Sequence, residues 1–158
     1  MQRTISAMVG KGSVNHNSRK FRAENVDGTR THLNIDYCNE NIKTVYHELF
    51  DEALDRYNAK QIRSDRKIKD YYEKIRSSKQ EKPFHEIILQ VGGKGNMNAD
   101  TENGELAKQI LDEYYQGFQE RNPQLRVFSA HLHMDEATPH LHIDFVPYVT
   151  CLLYTSPS

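Results

Sequence analysis

The apolar positions change their spacing along the chain, and the spacing separates helices from strands. Ile42, Val45, Tyr46, Leu49, Phe50, Ala53, Leu54 and Tyr57 fall on one face of a helix opened by Asn41. Ile68, Tyr71, Tyr72 and Ile75 give a thinner stripe on a second, more basic helix that ends before Pro83. Leu106, Ile110, Leu111, Tyr114, Tyr115 and Phe118 mark a third helix, stopped by Asn122-Pro123. Residues 3–9 read as a short strand, and residues 11–30 as a polar loop. Residues 31–37 alternate, with Leu33, Ile35 and Tyr37 on one side, as a strand does. Residues 85–91 are rich in β-branched residues and read as a central strand. Residues 126–133 and 140–148 read as two strands joined by a tight connection. The order β-β-α-α-β-α-β-β predicts an α+β fold. It is a single antiparallel sheet of about five strands, with helices packed mainly on one face.

At 158 residues the chain is the size of one domain. No segment reaches the roughly 18–20 apolar residues that span a bilayer, and residues 1–12 lack the apolar core of a secretory signal. Cys38 and Cys151 are far apart, which excludes a disulfide framework or a cysteine zinc cluster and suits the reducing cytoplasm. Net charge is −1, but residues 60–82 carry nine basic against four acidic residues and residues 11–30 five against two. Such segments can track a phosphate backbone or simply form a solvated face. The glycines and lysine of residues 92–104 do not match the phosphate-loop pattern, so no nucleotide cofactor is expected.

Four of the eight histidines lie between His131 and His142. On a strand, His140, His142, Asp144 and Val146 point one way and Leu141, Ile143 and Phe145 the other. His131 and His133 share a face on the preceding strand. An antiparallel hairpin therefore brings three or four imidazoles to one polar patch, which suits a divalent cation with open positions. Imidazole does not choose among manganese, zinc, cobalt and nickel, and magnesium prefers oxygen. Glu136 is then a neighbour that orients a ligand ring or assists a nucleophile, or else a plain turn residue. Two other classes fit part of this pattern. HLHMD opens like the metal motif of a metallo-β-lactamase-type hydrolase, although Glu136 stands where a histidine is required. A non-catalytic, metal-stabilised DNA-binding module is the other alternative.

The stretch HMDEATPHLHIDFVP resembles the Mob/Pre (MobV-type) plasmid mobilisation and recombination relaxases of the HUH endonuclease superfamily. NHNSRKFR (residues 15–22) is similar to that family's first motif and RTHLNIDY (residues 30–37) to its second, in the expected order. The resemblance implies an HUH-type palm and a metal-dependent strand transferase. Such an enzyme nicks one DNA strand at a transfer origin, in single-stranded or hairpin form, and stays attached to the 5′ phosphate. Carried over by motif, His133, His140 and His142 are metal ligands, Glu136 is the active-site glutamate, and His16 is the nucleophile. His131 has no counterpart. The implied cofactor is a divalent metal, manganese first, with magnesium, zinc or cobalt admissible.

A free imidazole, with a pKa of about 6.5, is mostly neutral at cytoplasmic pH and can attack phosphorus. Arg19, three residues from His16, adds positive charge for a phosphate. The rival nucleophile is Tyr37, at the end of the second motif. The pairs Tyr71-Tyr72 and Tyr114-Tyr115 fit helix packing instead. His32, Asn34 and Asp36 share a strand face, either lining the site or merely exposed, and His47 and His85 read as structural. DNA contacts are expected from Arg19, Lys20, Arg22 and Arg30 in the loop, and from Arg63, Arg66 and Lys67 on the basic helix. The catalytic domain is expected over residues 1–148. VTCLLYTSPS resembles a translated sequencing-adaptor fragment, so residues 149–158 read as a non-native tail. The family's following helical region, tied to homodimer contacts, is then missing.

Overall fold

Five strands form one antiparallel sheet in the order β1-β3-β5-β4-β2: β1 (Ile5–Val9), β2 (Ile35–Asn39), β3 (His85–Val91), β4 (Leu125–His133) and β5 (His140–Pro147). The helices are α1 (Val14–Asn17), α2 (Ile42–Ala59), α3 (Tyr71–Arg76), α4 (Glu102–Gln116) and α5 (Phe118–Arg121). This computed structural model describes residues 5–20, 23–92 and 98–149. Residues 3 and 4 of the expected first strand, Arg22, the middle of the glycine-rich loop, and Cys151 with the tail from Thr150 lie outside the described residues.

The strand alternation sorts side chains as expected. Leu141, Ile143 and Phe145 of β5 join Leu89, Val127, Ala130 and Leu132 against Ala107, Leu111 and Phe118 of α4 and α5. On the other face, Val146 and Phe128 bury against Val45, Tyr46 and Ile75 of α2 and α3. That second cluster covers the end of β5 nearest Val146 and leaves the end nearest His140 to the histidines. A bulge between Val127 and Ser129 lets Phe128 and Ser129 both serve the histidine face.

Local capping sets the helix starts. The Asn41 side chain accepts from the Lys43 and Thr44 amides, and Thr101 accepts from the Gly104 amide. The basic stretch is not one helix: Ser64–Arg66 is a single 3-10 turn and α3 holds six residues. Asn58 explains this. Its amide donates to the Ile68 carbonyl and its carbonyl accepts from the Ile68 amide, both at 2.8 Å, which pins the chain in a loop. The sheet's middle strand is β5, with β3 beside it. Residues 31–33 form a 3-10 turn, so strand pairing starts only at Ile35.

Leu111 is fully buried between α4 and the sheet. Leu111→Ala is expected to lower unfolding free energy by roughly 2–5 kcal/mol in urea denaturation. A loss under about 0.5 kcal/mol would show that α4 does not anchor the sheet.

Candidate active site

The hairpin brings the expected imidazoles to one face. His131 pairs with His142, and His133 with His140, in the β4–β5 register. The His133 and His142 rings lie 4.8 Å apart between centres, and those of His140 and His142 6.3 Å. His133 is fully buried, and its Nε2 sits 2.7 Å from the Asn17 carbonyl oxygen. A carbonyl only accepts, so the ring's proton is on Nε2 and Nδ1 keeps its lone pair. The buried Nδ1 atoms of His133, His140 and His142 have no hydrogen-bond partner. Among the described residues no three side chains already converge as an ion-ligating group. The donor chemistry nevertheless fits a divalent cation: three imidazoles, each with a buried Nδ1 that makes no hydrogen bond. Burial, then the charges of His142 and Arg19, push the His133 pKa down to about 3; burial also lowers His140. Both are therefore neutral at physiological pH.

His131 is different. Its Nδ1 lies 2.7 Å from Asp36 Oδ1 and its Nε2 3.1 Å from Ser129 Oγ, so both nitrogens are engaged in the sheet.

The loop of residues 11–30 contains a structural element that its polar composition concealed. The short helix α1 carries His16 and Asn17 over the hairpin. The His16 ring stands edge-on to His133, 6.4 Å between centres. Its Nε2 is 3.3 Å from Arg19 Nη1 and 3.5 Å from Glu136 Oε1. Glu136 Oε2 in turn lies 3.5 Å from His140 Nδ1. Burial alone would raise the Glu136 pKa, but the Arg19 hydrogen bond and the neighbouring positive charge outweigh it and hold the group ionised.

Two buried carboxylate systems support the site. Asp135 is fully buried and receives Arg19 Nη2 at 2.6 Å, Arg19 Nε at 2.9 Å, Thr31 Oγ1 at 2.8 Å and Asn34 Nδ2 at 2.9 Å. These donors hold its pKa down to about 2 against burial. The Asn34 side-chain carbonyl also accepts from the Met134 amide. Glu86 and Asp144 face each other across β3 and β5, both within reach of the Asn17 amide. Burial pushes both up. The Asn17 amide and the His142 ring, whose Nδ1 stands 3.6 Å from Glu86 Oε1, outweigh this at Glu86, while burial and the Glu86 carboxylate push Asp144 up to about 9, so Asp144 holds the proton. Gly10 is needed beside this pair, since a Cβ there would fall 2.0 Å from Glu86 Oε1.

Other expected residues are placed elsewhere. Tyr37 is on the α4 face of the sheet, where it stacks on Tyr115 at 3.9 Å and its hydroxyl donates to Asp112. Burial, then that carboxylate, raise its pKa, and the sheet lies between it and the histidines. Its hydroxyl therefore faces Asp112 and not the histidines. The Arg30 guanidinium donates to the Met134 and Ala99 carbonyls and so fastens the loop to the hairpin. Arg63 pairs with Asp65 in the 3-10 turn, not on a helix, while Lys20, Arg66 and Lys67 are exposed. His32, Asn34 and Asp36 share no face, because His32 lies in the 3-10 turn and is exposed. His47 and His85 are exposed too, and His47 pairs with Asp51. A cleft of about 500 Å³ opens beside Glu136, lined by Asn25, Asp27, Arg30, Asn98 and Asp100.

Comparison with known proteins adds the following. The model of a family described as plasmid recombination enzyme, Mob_Pre, matches residues 12–150. Among solved structures the chain resembles the MobM relaxase domain (MOBV; Mob_Pre) bound to 22-nucleotide plasmid pMV158 oriT DNA, in Mn-bound crystals. At pH 4.6 the likeness has a TM-score of 0.54 at 20% identity, and at pH 5.5 a TM-score of 0.53 at 18%. Each covers 92% of this chain and 71% of the other. At that identity the likeness establishes a shared fold. No curated protein matches the chain.

The shared proton gives a testable asymmetry. Asp144→Asn keeps a neutral donor and acceptor in place and is expected to unfold within about 1 kcal/mol of the parent at pH 7. Glu86→Ala removes the acceptor for the Asn17 side chain and the Gly12 amide, and is expected to cost about 1–3 kcal/mol. Thermal denaturation of both variants checks this, and the reverse ranking would place the proton on Glu86.

Proposed function

The chain belongs to the Mob/Pre family of plasmid recombination enzymes, and from that premise we propose that it is a relaxase that nicks one strand of a plasmid transfer origin and holds the 5′ phosphate on His16. The observation that carries the reading is the placement of the His16 ring. It lies beside three imidazoles whose buried Nδ1 atoms make no hydrogen bond, between a guanidinium and a carboxylate.

In this reading His133, His140 and His142 hold a divalent ion, taken as manganese, the metal in the MobM crystals. When bound, that ion supplies positive charge to a nonbridging oxygen of the scissile phosphate. The chain's own residues do the rest. A ring nitrogen of His16 attacks phosphorus with its lone pair, and the bond from phosphorus to the 3′ oxygen breaks. The departing oxygen takes up a proton while the second ring nitrogen gives one up, which leaves an uncharged ring on a singly negative phosphoramidate and a free 3′ hydroxyl. Arg19 stabilises charge developing on the phosphate. Glu136 lies between the His16 and His140 rings and orients both. The phosphate remains activated, so the same or another 3′ hydroxyl can reverse the step without ATP.

The substrate is DNA at the transfer origin, in single-stranded or hairpin form; the MobM crystals hold a 22-nucleotide oriT DNA. Exposed Lys20, Arg66 and Lys67 supply phosphate contacts and salt-dependent affinity. Work on plasmid DNA places the protein in the cytoplasm, in keeping with the absence of a helix long and apolar enough to cross a membrane among the described residues. The catalytic unit is assigned to residues 1–148, with self-association left to sequence that follows it in the family. A metallo-β-lactamase-type hydrolase is disfavoured because Asp135, the acid of that motif, is consumed by Arg19, Thr31 and Asn34.

The test is an origin-bearing oligonucleotide with manganese. His16→Ala is expected to abolish the covalent adduct while DNA and manganese binding persist; an undiminished adduct overturns the assignment. Tyr37→Phe is expected to leave the adduct rate unchanged, and its loss would reinstate tyrosine.

A further inference from the structure

We propose that Asp135 is a positioning residue for strand transfer, acting through Arg19. This assignment rests on the relaxase reading above. Four observations support it. Asp135 is fully buried and binds the Arg19 guanidinium through both carboxylate oxygens, at 2.6 and 2.9 Å. That fork fixes the plane of the guanidinium. The same guanidinium sends Nη2 to Glu136 Oε1 at 2.9 Å, and sends Nη1 to the His16 carbonyl at 2.8 Å and to within 3.3 Å of His16 Nε2. A single cation thus touches both the attacking ring and the carboxylate, which are themselves 3.5 Å apart.

The Arg19 backbone is in the left-handed region, at φ 61°, which is uncommon for a residue with a side chain. The strained turn lets the Arg19 side chain double back beneath His16, and the fork to Asp135 holds it there. Thr31 and Asn34 also donate to Asp135, so its own rotamer is fixed from a second segment of the chain. Asp135 therefore links all three sequence motifs at one carboxylate. A buried ion pair gives little net stability compared with apolar packing, whereas a fixed guanidinium plane sets where His16 and the phosphate meet.

The experiment measures single-turnover adduct formation with saturating origin oligonucleotide and manganese, for the parent, Asp135→Asn, Arg19→Gln and the double variant. Asp135→Asn is expected to slow adduct formation by about 100-fold, on the scale of losing one oriented donor. The oligonucleotide dissociation constant and manganese affinity are expected to stay within about threefold of the parent, a window narrower than one tenfold step of 1.4 kcal/mol. In the Arg19→Gln background the same change is expected to have no further effect, because Asp135 then has nothing to position. A merely structural role would instead give an additive loss in that background, or a loss of DNA affinity, and either result overturns the assignment. Arg19→Lys keeps the charge but lacks the fork, and is expected to slow as much as Asp135→Asn. If Asp135→Asn does not fold, Arg19→Lys decides: full-rate adduct formation overturns the assignment and a comparable loss supports it. Absence of any adduct with the parent protein would instead refute the relaxase reading itself.

Discussion

The ion pair between Arg19 and the buried Asp135 joins two parts of the chain that have almost no apolar surface in common. The hairpin of β4 and β5 sits in the sheet, its rings pre-arranged by strand register. The segment that carries His16 is polar, and among its described residues Val14 and Leu33 reach the apolar clusters. Two such contacts do not by themselves orient His16 over the hairpin. Polar contacts do: the Asp27 amide donates to the Asp135 carbonyl, Arg30 reaches the Met134 carbonyl, and Arg19 grips the Asp135 side chain. Such contacts are directional, so they fix orientation as well as proximity.

Beneath the rings, a second polar layer does a different job. Asn17 uses its backbone carbonyl to set the His133 tautomer and its side-chain amide to bind Glu86 and Asp144. One residue next to His16 is thereby tied to a ring of the hairpin and to the carboxyl pair that supports His142. The two carboxylate systems are opposite in character: Asp135 is a full anion neutralised by arginine, while Glu86 and Asp144 carry one negative charge between them. The site keeps its buried charge low by pairing in one place and by sharing a proton in the other.

Much of this was legible in the residues. The alternation in HLHIDFVP sorted ligating-type from core side chains on β5 correctly, because a strand's two faces follow from parity alone. The helical face of residues 42–57 was equally plain, since five of its eight apolar positions fill or flank one cluster and two more, Ala53 and Leu54, are buried. The common face of Leu33, Ile35 and Tyr37 followed from alternation as well. Two things were not legible. The helix α1 has four residues, too few to show periodicity. The loop at residues 60–70 depends on one side-chain contact, from Asn58. Glu86 was not singled out, and the role of Asp135 as the anchor of Arg19 was not foreseen, because the donors that hold them, Asn17 and Arg19, lie 69 and 116 residues away in sequence. The one available signal was parity, which puts Glu86 on the same side of β3 as the histidines of β5.

The account stands or falls on the chemical identity of the protein-DNA bond. Trapping the adduct with an origin oligonucleotide, digesting it and sequencing the modified peptide by mass spectrometry reads that bond directly. The geometry predicts a nucleotide on the peptide containing His16, through a phosphorus–nitrogen bond that is cleaved in mild acid and survives alkali. An acid-stable adduct on a tyrosine-containing peptide, or no adduct with manganese present, would contradict it.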